Sequence, residues 1–567
     1  MQNYDVIVLG SGLGGSITSS ILANKGWRVL MIDAASHPRF AIGEATTPDI
    51  SFLLKIVGKK YQVPELSNLA TFHDLRDNVS SKCGTKKAFT FLYHRDRQKQ
   101  DPNETHQFPT LAPPLGPDVH MFRQDTDAYM MGVALDYGAE IRQNVRIEKF
   151  DFGSDSVVLT STEGEQFQCR FVVDGSGFRS PLAAEKDLRD SPCRLKTRSR
   201  ALFTHMIGVK AYDELADSLK DHGITYRFEE GTLHHVFDRG WMWVIPFNNH
   251  SDQMNPVCSV GVLLDSDEYP MTDMSPAEEF ESIIGRFPQV AEQFRDAKPV
   301  RDWVRTGRIQ YSSKTIVGER FCLLSHAAGF VDPLFSTGLN QTLQVIDGMI
   351  PVLDAALKND DFCPSQFEEV DKRFQETLDY CDQIVANAFK SFGNFDLWDA
   401  WFRVWVAANF VGTTLRANLY LNYEQSGDET WLQKTNRAPF SGALAGNFAP
   451  HRELFEAADR QMQAFTNGHI TESEAADSIR SLFRTADYLP RYFKWHDKNV
   501  RTTSTFTLLD LTRMFFWYTK FSPDGVADDL ISFRFGGFMN YAWKRLRRDQ
   551  PHTGARRRYV RDSFFAK

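Results

Sequence analysis

Three glycines near the start of the chain, Gly10, Gly12 and Gly15, with Gly14 between them, have the types and spacing of a phosphate cradle. The apolar run YDVIVLG leads straight into them. A helical stretch follows to about Gly26, and the strand-like WRVLMID ends on Asp33, eighteen residues past Gly15. In that order Gly10 permits a tight turn and Gly12 lets a pyrophosphate approach the backbone. Gly15 lets the helix pack close to the sheet, with its N-terminus toward the phosphates. Asp33 is placed to accept from a ribose hydroxyl. A glycine cluster alone is usually a turn; one flanked by strand, helix, strand and acid predicts an adenine dinucleotide site.

Other residues carry possible chemistry further on. Lys86 and Lys87 open the strand-like KKAFTFLYH, and a strand period of two points them to opposite faces. Taken alone, one lysine on such a strand is an edge charge in water. Trp241 and Trp243 in GWMWVIP share one strand face, which suits core packing. The loop holding Asp332 and Pro333 leads through Ser336, Thr337 and Gly338 to a helix predicted from about Leu339. Free amides at a helix start suit a small anion without any charged side chain, although a plain N-cap reads the same way. A second glycine turn, at Asp174 and Gly175, ends another apolar strand; it is either a simple turn or a neighbour of the first cradle. Arg123 stands at a predicted helix start.

The elements that must position these groups fit a large chain. At 567 residues, two or three packed units are expected. The formal charge of −8 argues against a general nucleic-acid binder, and no apolar run of about eighteen residues predicts a membrane span. Seven cysteines without CxxC spacing give neither a metal site nor a disulfide framework, and their odd number fits a reducing compartment. With the fingerprint starting at Tyr4, no signal peptide is expected before it, so a cytoplasmic enzyme is predicted. Residues 50–81 read as an amphipathic helical stretch interrupted at Pro64. Residues 95–117, polar and rich in proline, read as an irregular surface loop, and FCLLSHA reads as a strand. Residues 203–310 read as mostly strand, forming an antiparallel sheet. Residues 365–420 read as helical, with Trp398, Trp401 and Trp405 packing on one face. Further helical patterns lie near 472–489 and 507–518. The basic stretch from Trp543 to Lys567 reads as a solvated tail, with an acidic carrier protein or membrane surface as the alternative.

HPRFAIGEATTP, His37 to Pro48, follows Asp33 where a nicotinamide domain would continue to its next strand and helix. With the N-terminal fingerprint it resembles the flavin-dependent halogenases, whose GE(A/S)xxP element runs along the flavin. GWMWVIP matches their W-x-W-x-I-P element, Ser336-Thr337-Gly338 their halide-binding turn, and CGTKKAF the phenol-halogenating branch. The likeness fades after about Ile350. It implies an α/β FAD-binding fold of the glutathione-reductase and p-hydroxybenzoate-hydroxylase type, with an antiparallel substrate sheet and a mostly helical C-terminal region. Cofactor segments would be about 1–50, 118–200 and 300–350, interleaved with substrate segments about 51–117 and 201–299; the helical region would be 351–567.

The resemblance also implies roles. FAD would be held by the four glycines, Asp33, Arg39, Ile42, Glu44, Ala45, Arg123, Asp174, Asp332 and Leu339, with Asp332 at the ribityl chain. Halide would sit at Thr337 and Gly338. An oxidised halogen species made there would pass Trp241, Trp243, Pro246 and Phe335 to Lys86, with Lys87 the competitor should the register slip by one. The lysine would polarise the oxidant as an ammonium or become a haloamine as an amine; burial favours the second. Tryptophan halogenases carry a glutamate just before the Ser-Thr-Gly turn. Phe335 stands there instead, which predicts an electron-rich phenol rather than an indole. No second nucleotide fingerprint is present, so reduced FAD is expected from a separate NAD(P)H-dependent flavin reductase. The phenol is expected free or tethered to a carrier protein, and a homodimer is possible. The alternatives on the same scaffold are an aromatic hydroxylase, an isoprenoid reductase and a flavin-binding protein without catalysis.

Overall fold

Apolar side chains on both faces make the first strand, Asn3–Leu9, a central one: Val6, Ile7 and Val8 are wholly buried. It pairs in parallel with Val29–Asp33 on one side and Gln166–Asp174 on the other, and Phe321–Leu323 adds a further parallel strand. Such a sheet needs crossover helices to cover it. The first is Leu13–Asn24. The structure, a computed structural model, describes residues 3–113, 115–252, 254–436, 443–502 and 506–548. Among them an eight-stranded cofactor sheet stands beside a second eight-stranded sheet and a two-stranded ribbon.

The second sheet runs in the order Lys298–Pro299, Ser199–Ile207, Cys258–Asp265, Gly240–Pro246, Thr232–Phe237, Ala88–Tyr93 and Thr105–Pro109. It is antiparallel except where Thr232–Phe237 pairs in parallel with Ala88–Tyr93. This differs from the sequence reading in two places. The expected surface loop contains Thr105–Pro109, a fully buried strand. Its composition is that of a loop, but the C-terminal helices cover it. The stretch KKAFTFLYH is not one strand: Gly84–Lys86 pairs with Asp118–His120 in the ribbon, while Ala88–Tyr93 joins the large sheet. The chain breaks at Lys87, whose amide donates to Glu230 O at 2.7 Å. Likewise FCLLSHA is strand only as far as Leu323, and Ser325–Ala328 turns into a short helix.

The helical C-terminal region is present and covers the substrate sheet. Its long helix, Phe395–Ser426, starts at an Asn394 cap and ends on Gly427 in the left-handed region. Trp398, Trp401 and Trp405 are all buried along it, as their spacing predicted. A buried charge cluster ties this helix to the sheet. Asp399 Oδ1 meets His106 Nε2 at 3.0 Å and Arg403 Nη2 at 2.7 Å, and Asp399 Oδ2 meets Arg480 Nη1 at 3.1 Å. Arg403 also donates to Trp495 O and Asp497 O. Helices Glu472–Thr485 and Leu508–Phe521 lie where the sequence placed them. Of the basic end, residues 549–567 lie outside the described residues; within the described part, Arg545 is buried against Asp74 at 2.9 Å. No described helix is long and apolar enough to cross a membrane.

Candidate active site

The glycine cradle has the geometry its spacing requires. Gly10 has φ +85°, where only glycine sits without cost. A Cβ at Gly15 would lie 1.9 Å from Gly10 O, and one at Gly10 would lie 2.8 Å from Gly175 O, so both glycine turns press together. The helix from Leu13 has Gly12 as its N-cap and no side-chain cap, leaving its first amides for a ligand. These features fit the pyrophosphate of a dinucleotide. Gly15→Ala must displace the turn, at a cost of about 1–3 kcal/mol. The purified variant is expected to bind FAD about tenfold more weakly or worse, read by flavin fluorescence titration.

Asp33 accepts from Ser11 N and Oγ at 2.7 Å, from Ala35 N, and from both Arg39 terminal nitrogens at 2.6 and 2.7 Å. Burial alone would raise its pKa; these bonds outweigh it and hold the carboxylate well below its ordinary range. Asp174 bonds Ser176 and Ser180, shaping its own turn. Arg123 opens the helix Arg123–Asp136, forks onto Asp127 and donates to Ile42 O at 2.7 Å and Gly43 O at 3.2 Å. Asp127 in turn faces Gly12, at 3.7 Å from where a Cβ would lie. The segment Ile42–Thr46 is thus clamped beside the cradle. Glu44 Oε1 meets His205 Nε2 at 2.6 Å, Met121 N donates to Glu44 O, and Ala45 bridges to His120.

Asp332 is buried, with its oxygens taken up inside the protein: Oδ2 accepts from Ser199 Oγ at 2.8 Å and Oδ1 from Leu334 N at 3.0 Å. Burial pushes its pKa up to about 7. It ties the loop to the substrate sheet. The side chain nearest the start of the helix Gly338–Asn359 is His326: a Cβ on Gly338 would stand 2.8 Å from its Nε2. Burial and the nearby Arg123 charge push His326 down to about 4, so it is neutral. Sequence reading passed over His326 because a lone histidine after a strand carries no signal. Before the helix, Ser336 holds φ +54°, a left-handed conformation that a non-glycine residue adopts at a cost of roughly 1–3 kcal/mol. Thr337 follows in the right-handed region as the N-cap without a side-chain bond, and Leu339 lies in the first turn.

Lys86 points inward and Lys87 outward. Lys87 pairs with Glu230 at 2.5 Å on the partly exposed side. Lys86 is 0% exposed; its Nζ donates to Thr46 O at 2.7 Å and lies 3.4 Å from the centre of the Phe89 ring. Burial pushes its pKa down to about 7, against the opposing pull of Asp118. Around it, His120 bonds Pro246 O at 3.0 Å and Thr232 Oγ1 at 2.9 Å, and His234 stacks on Phe91 at 4.1 Å. Burial, reinforced by the Lys86 charge, pushes both histidines down to about 3. Gly84 lets the ribbon meet the tryptophan strand: a Cβ there would lie 2.3 Å from Pro246 O.

Two series of rings converge on the lysine. Phe335 stacks on Trp405 at 4.8 Å, Trp405 meets Phe89 edge-on at 5.4 Å, and Phe89 carries Lys86 on its face. From the other side Trp243 meets Trp241 at 5.9 Å, Trp241 meets His234 at 5.7 Å, and His234 lies 6.1 Å from Phe89. Gly261 makes room for Trp243, whose ring a Cβ would approach to 2.0 Å. An apolar pocket has Pro48, Phe52, Phe108, Leu111, Phe410 and Phe506 among its walls, so the C-terminal region supplies part of its lining.

Comparison with known proteins gives the family. The family model described as tryptophan halogenase matches residues 93–402. The chain belongs to this family and is a flavin-dependent halogenase with FAD as cofactor. Tetracycline 7-halogenase of Kitasatospora aureofaciens is 44% identical over 487 residues, covering 86% of this chain and 87% of that one. The monodechloroaminopyrrolnitrin halogenase PrnC of Pseudomonas fluorescens is 39% identical over 528 residues, 92% of this chain and 93% of its own. The crystal structure of halogenase PltM in complex with phloroglucinol and FAD superposes with a TM-score of 0.84 at 33% identity, covering 88% of this chain and 99% of that chain. The likeness therefore extends far past Ile350, into the helical region.

Proposed function

We propose that the protein halogenates an electron-rich phenol, with Lys86 as the group that delivers the halogen and the Ser336–Gly338 turn as the halide site. The observation that carries this reading is Lys86 itself: an amine without exposed surface, held at 2.7 Å by the carbonyl of Thr46. Thr46 belongs to the segment clamped beside the glycine cradle. Reduced FAD, supplied by a separate reductase, would activate O2, and O2 would supply the oxidising equivalents that turn halide into hypohalous acid.

The protein's own residues do the rest. The cradle glycines, Asp33 with Arg39, and the Arg123–Asp127 fork hold and orient the cofactor. The left-handed Ser336 and the helix after Thr337, which has no side-chain cap, leave a helix start suited to a small anion such as halide. Phe335, Trp405, Trp241 and Trp243 keep water from the route, and Lys86 stops the oxidant over Phe89, whose cross-strand partner Phe108 lines the apolar pocket. Confinement and aim are the catalytic contribution. As a neutral amine Lys86 can take the halogen from hypohalous acid, releasing water, and pass it to a ring carbon in exchange for the ring proton.

A phenol is supported by Phe335, which leaves the ring's own hydroxyl to activate it, and by the apolar cavity walls. The phloroglucinol bound by PltM is such a ring. Incubation with FAD, a flavin reductase, NADH, chloride or bromide and a panel of phenols is expected to give products with a halogen isotope pattern. Hydroxylated or saturated products, gained equally without halide, would overturn the reading. Gly338→Ala brings a methyl against His326 and is expected to raise the halide KM about tenfold, the equivalent of 1.4 kcal/mol. An unchanged halide KM would move the halide elsewhere.

A further inference from the structure

Asp118 is 1% exposed and is the direct cross-strand partner of Lys86 in the ribbon. Residues directly opposite in an antiparallel pair project to the same face. Its Oδ1 accepts from Ser51 Oγ at 3.1 Å, while its buried Oδ2 has no hydrogen-bond partner among the described residues. A carboxylate oxygen left in this way costs about 1–3 kcal/mol or more, a cost that a proton on that oxygen would relieve. The charged and titratable groups around the pair come from each packed element. Ser51 and Lys55 lie on the helix Pro48–Lys60, His120 on the ribbon, and His234 on the adjoining strand. Both histidines are neutral there. Lys55 is buried one helical turn beyond Ser51, and its charge favours the Asp118 anion. Phe335, at the other end of the ring series, is apolar.

We propose that Asp118 is the proton partner of Lys86: through one intervening water, since no ion pair within 4 Å joins the two side chains in this structure, it accepts the proton that the ammonium must shed before the amine can take a halogen, and returns it afterwards. This rests on the reading of Lys86 above and makes Asp118 a positioning residue that acts through the lysine. The exchange balances, ammonium and carboxylate becoming amine and carboxylic acid with no net charge moved in or out of the buried site. That neutrality is what a low-dielectric pocket favours. The two groups are matched for it, since burial brings Lys86 down and Asp118 up to about 7 each.

The sign of the test follows. Asp118 as an anion favours the charged lysine, so Asp118→Asn removes that support and leaves burial unopposed. The pH limb of halogenation that reports Lys86 is therefore expected to move to lower pH by about one unit or more. The same shift is expected in enzyme without flavin, read as the pH dependence of the Lys86 side-chain NMR shifts in lysine-labelled protein, assigned by comparison with Lys86→Ala. Asp118→Glu should keep the wild-type limb. An unmoved limb in a folded Asp118→Asn protein overturns the proposal. If that variant does not fold, Ser51→Ala, which weakens the anion, should give a smaller shift in the same direction, and no shift again overturns it. Inactivity of Asp118→Asn at all pH values supports the proposal if Asp118→Glu restores turnover and overturns it if Asp118→Glu stays inactive while folded. Continued halogenation by Lys86→Ala would instead remove the reading of Lys86, so the two failures are distinguishable.

Discussion

Lys86→Ala is expected to lower halogenation by about 10²–10⁴-fold, the range for a single positioned proton-transfer or carrier group, while reduced flavin is still oxidised and peroxide still accumulates. The expectation comes from the separation of two places. Among the described residues no hydrogen bond or ring contact joins the Lys86 side chain to the cradle, the Arg123–Asp127 fork or the helix at Gly338; it is held by Thr46 O and Phe89. Removing the amine therefore spares cofactor binding. Halide and oxygen consumption should continue, with hypohalous acid lost to solvent. Lys87→Ala breaks an ion pair on the outer side and is expected to leave product formation within about twofold, since such partly exposed pairs contribute about 0–1 kcal/mol. Product yield and peroxide release, measured together, check both variants. A productive Lys86→Ala enzyme, or loss of flavin turnover along with the product, would sink the assignment.

Asp399→Ala is expected to destabilise the protein by about 3–5 kcal/mol, because it leaves Arg403 and Arg480 buried without their shared counter-charge. Burial would raise the Asp399 pKa, but Arg403 and His106 hold it well below its ordinary value of 3.8. A carboxylate depressed in this way contributes stability that is complete above the unfolded value and is lost only as pH falls below it. The penalty should thus be constant from pH 6 to 8. Asp396→Ala, which removes a half-exposed partner of the same Arg480, is expected to cost about 1 kcal/mol or less. Urea unfolding midpoints for the two variants give the comparison. Equal losses would show that Asp399 is not the centre of the clamp.

What the sequence revealed depended on whether a residue's role is written near it. The cradle was legible because strand, glycines, helix and acid follow one another within a few dozen residues, and each has a local physical reason. The lysine was legible only in part: periodicity separates Lys86 from Lys87 but does not say which faces inward. That choice is made by the pairing of Gly84–Lys86 with Asp118–His120, more than thirty residues on. Asp118, His120 and His326 carried no pattern of their own and gained meaning only from what the fold sets beside them. Thr105–Pro109 was misread because its composition is that of a loop, while its burial comes from helices nearly three hundred residues later. His106 and Phe108 show this in their contacts with Asp399 and Trp405. Asp332 was read only as the carboxylate at the cofactor chain, and its bond to Ser199 of the substrate sheet was not legible, because the two lie more than a hundred residues apart. The fold class was right because alternation of strand and helix survives such exchanges of partner.

One stitched piece of backbone joins both halves of the chemistry. Residues 42–46 are gripped by Arg123 at one end and paired with Val119 and His120 at the other, and the carbonyl that holds Lys86 closes the same run. On the proposed reading, the span from the place of origin of the halogenating species to its point of delivery is therefore a built-in length of the fabric rather than the travel of a hinge. Changing which ring position is reached should call for recarving the far wall, at Phe410 or Phe506, and not for loosening this seam.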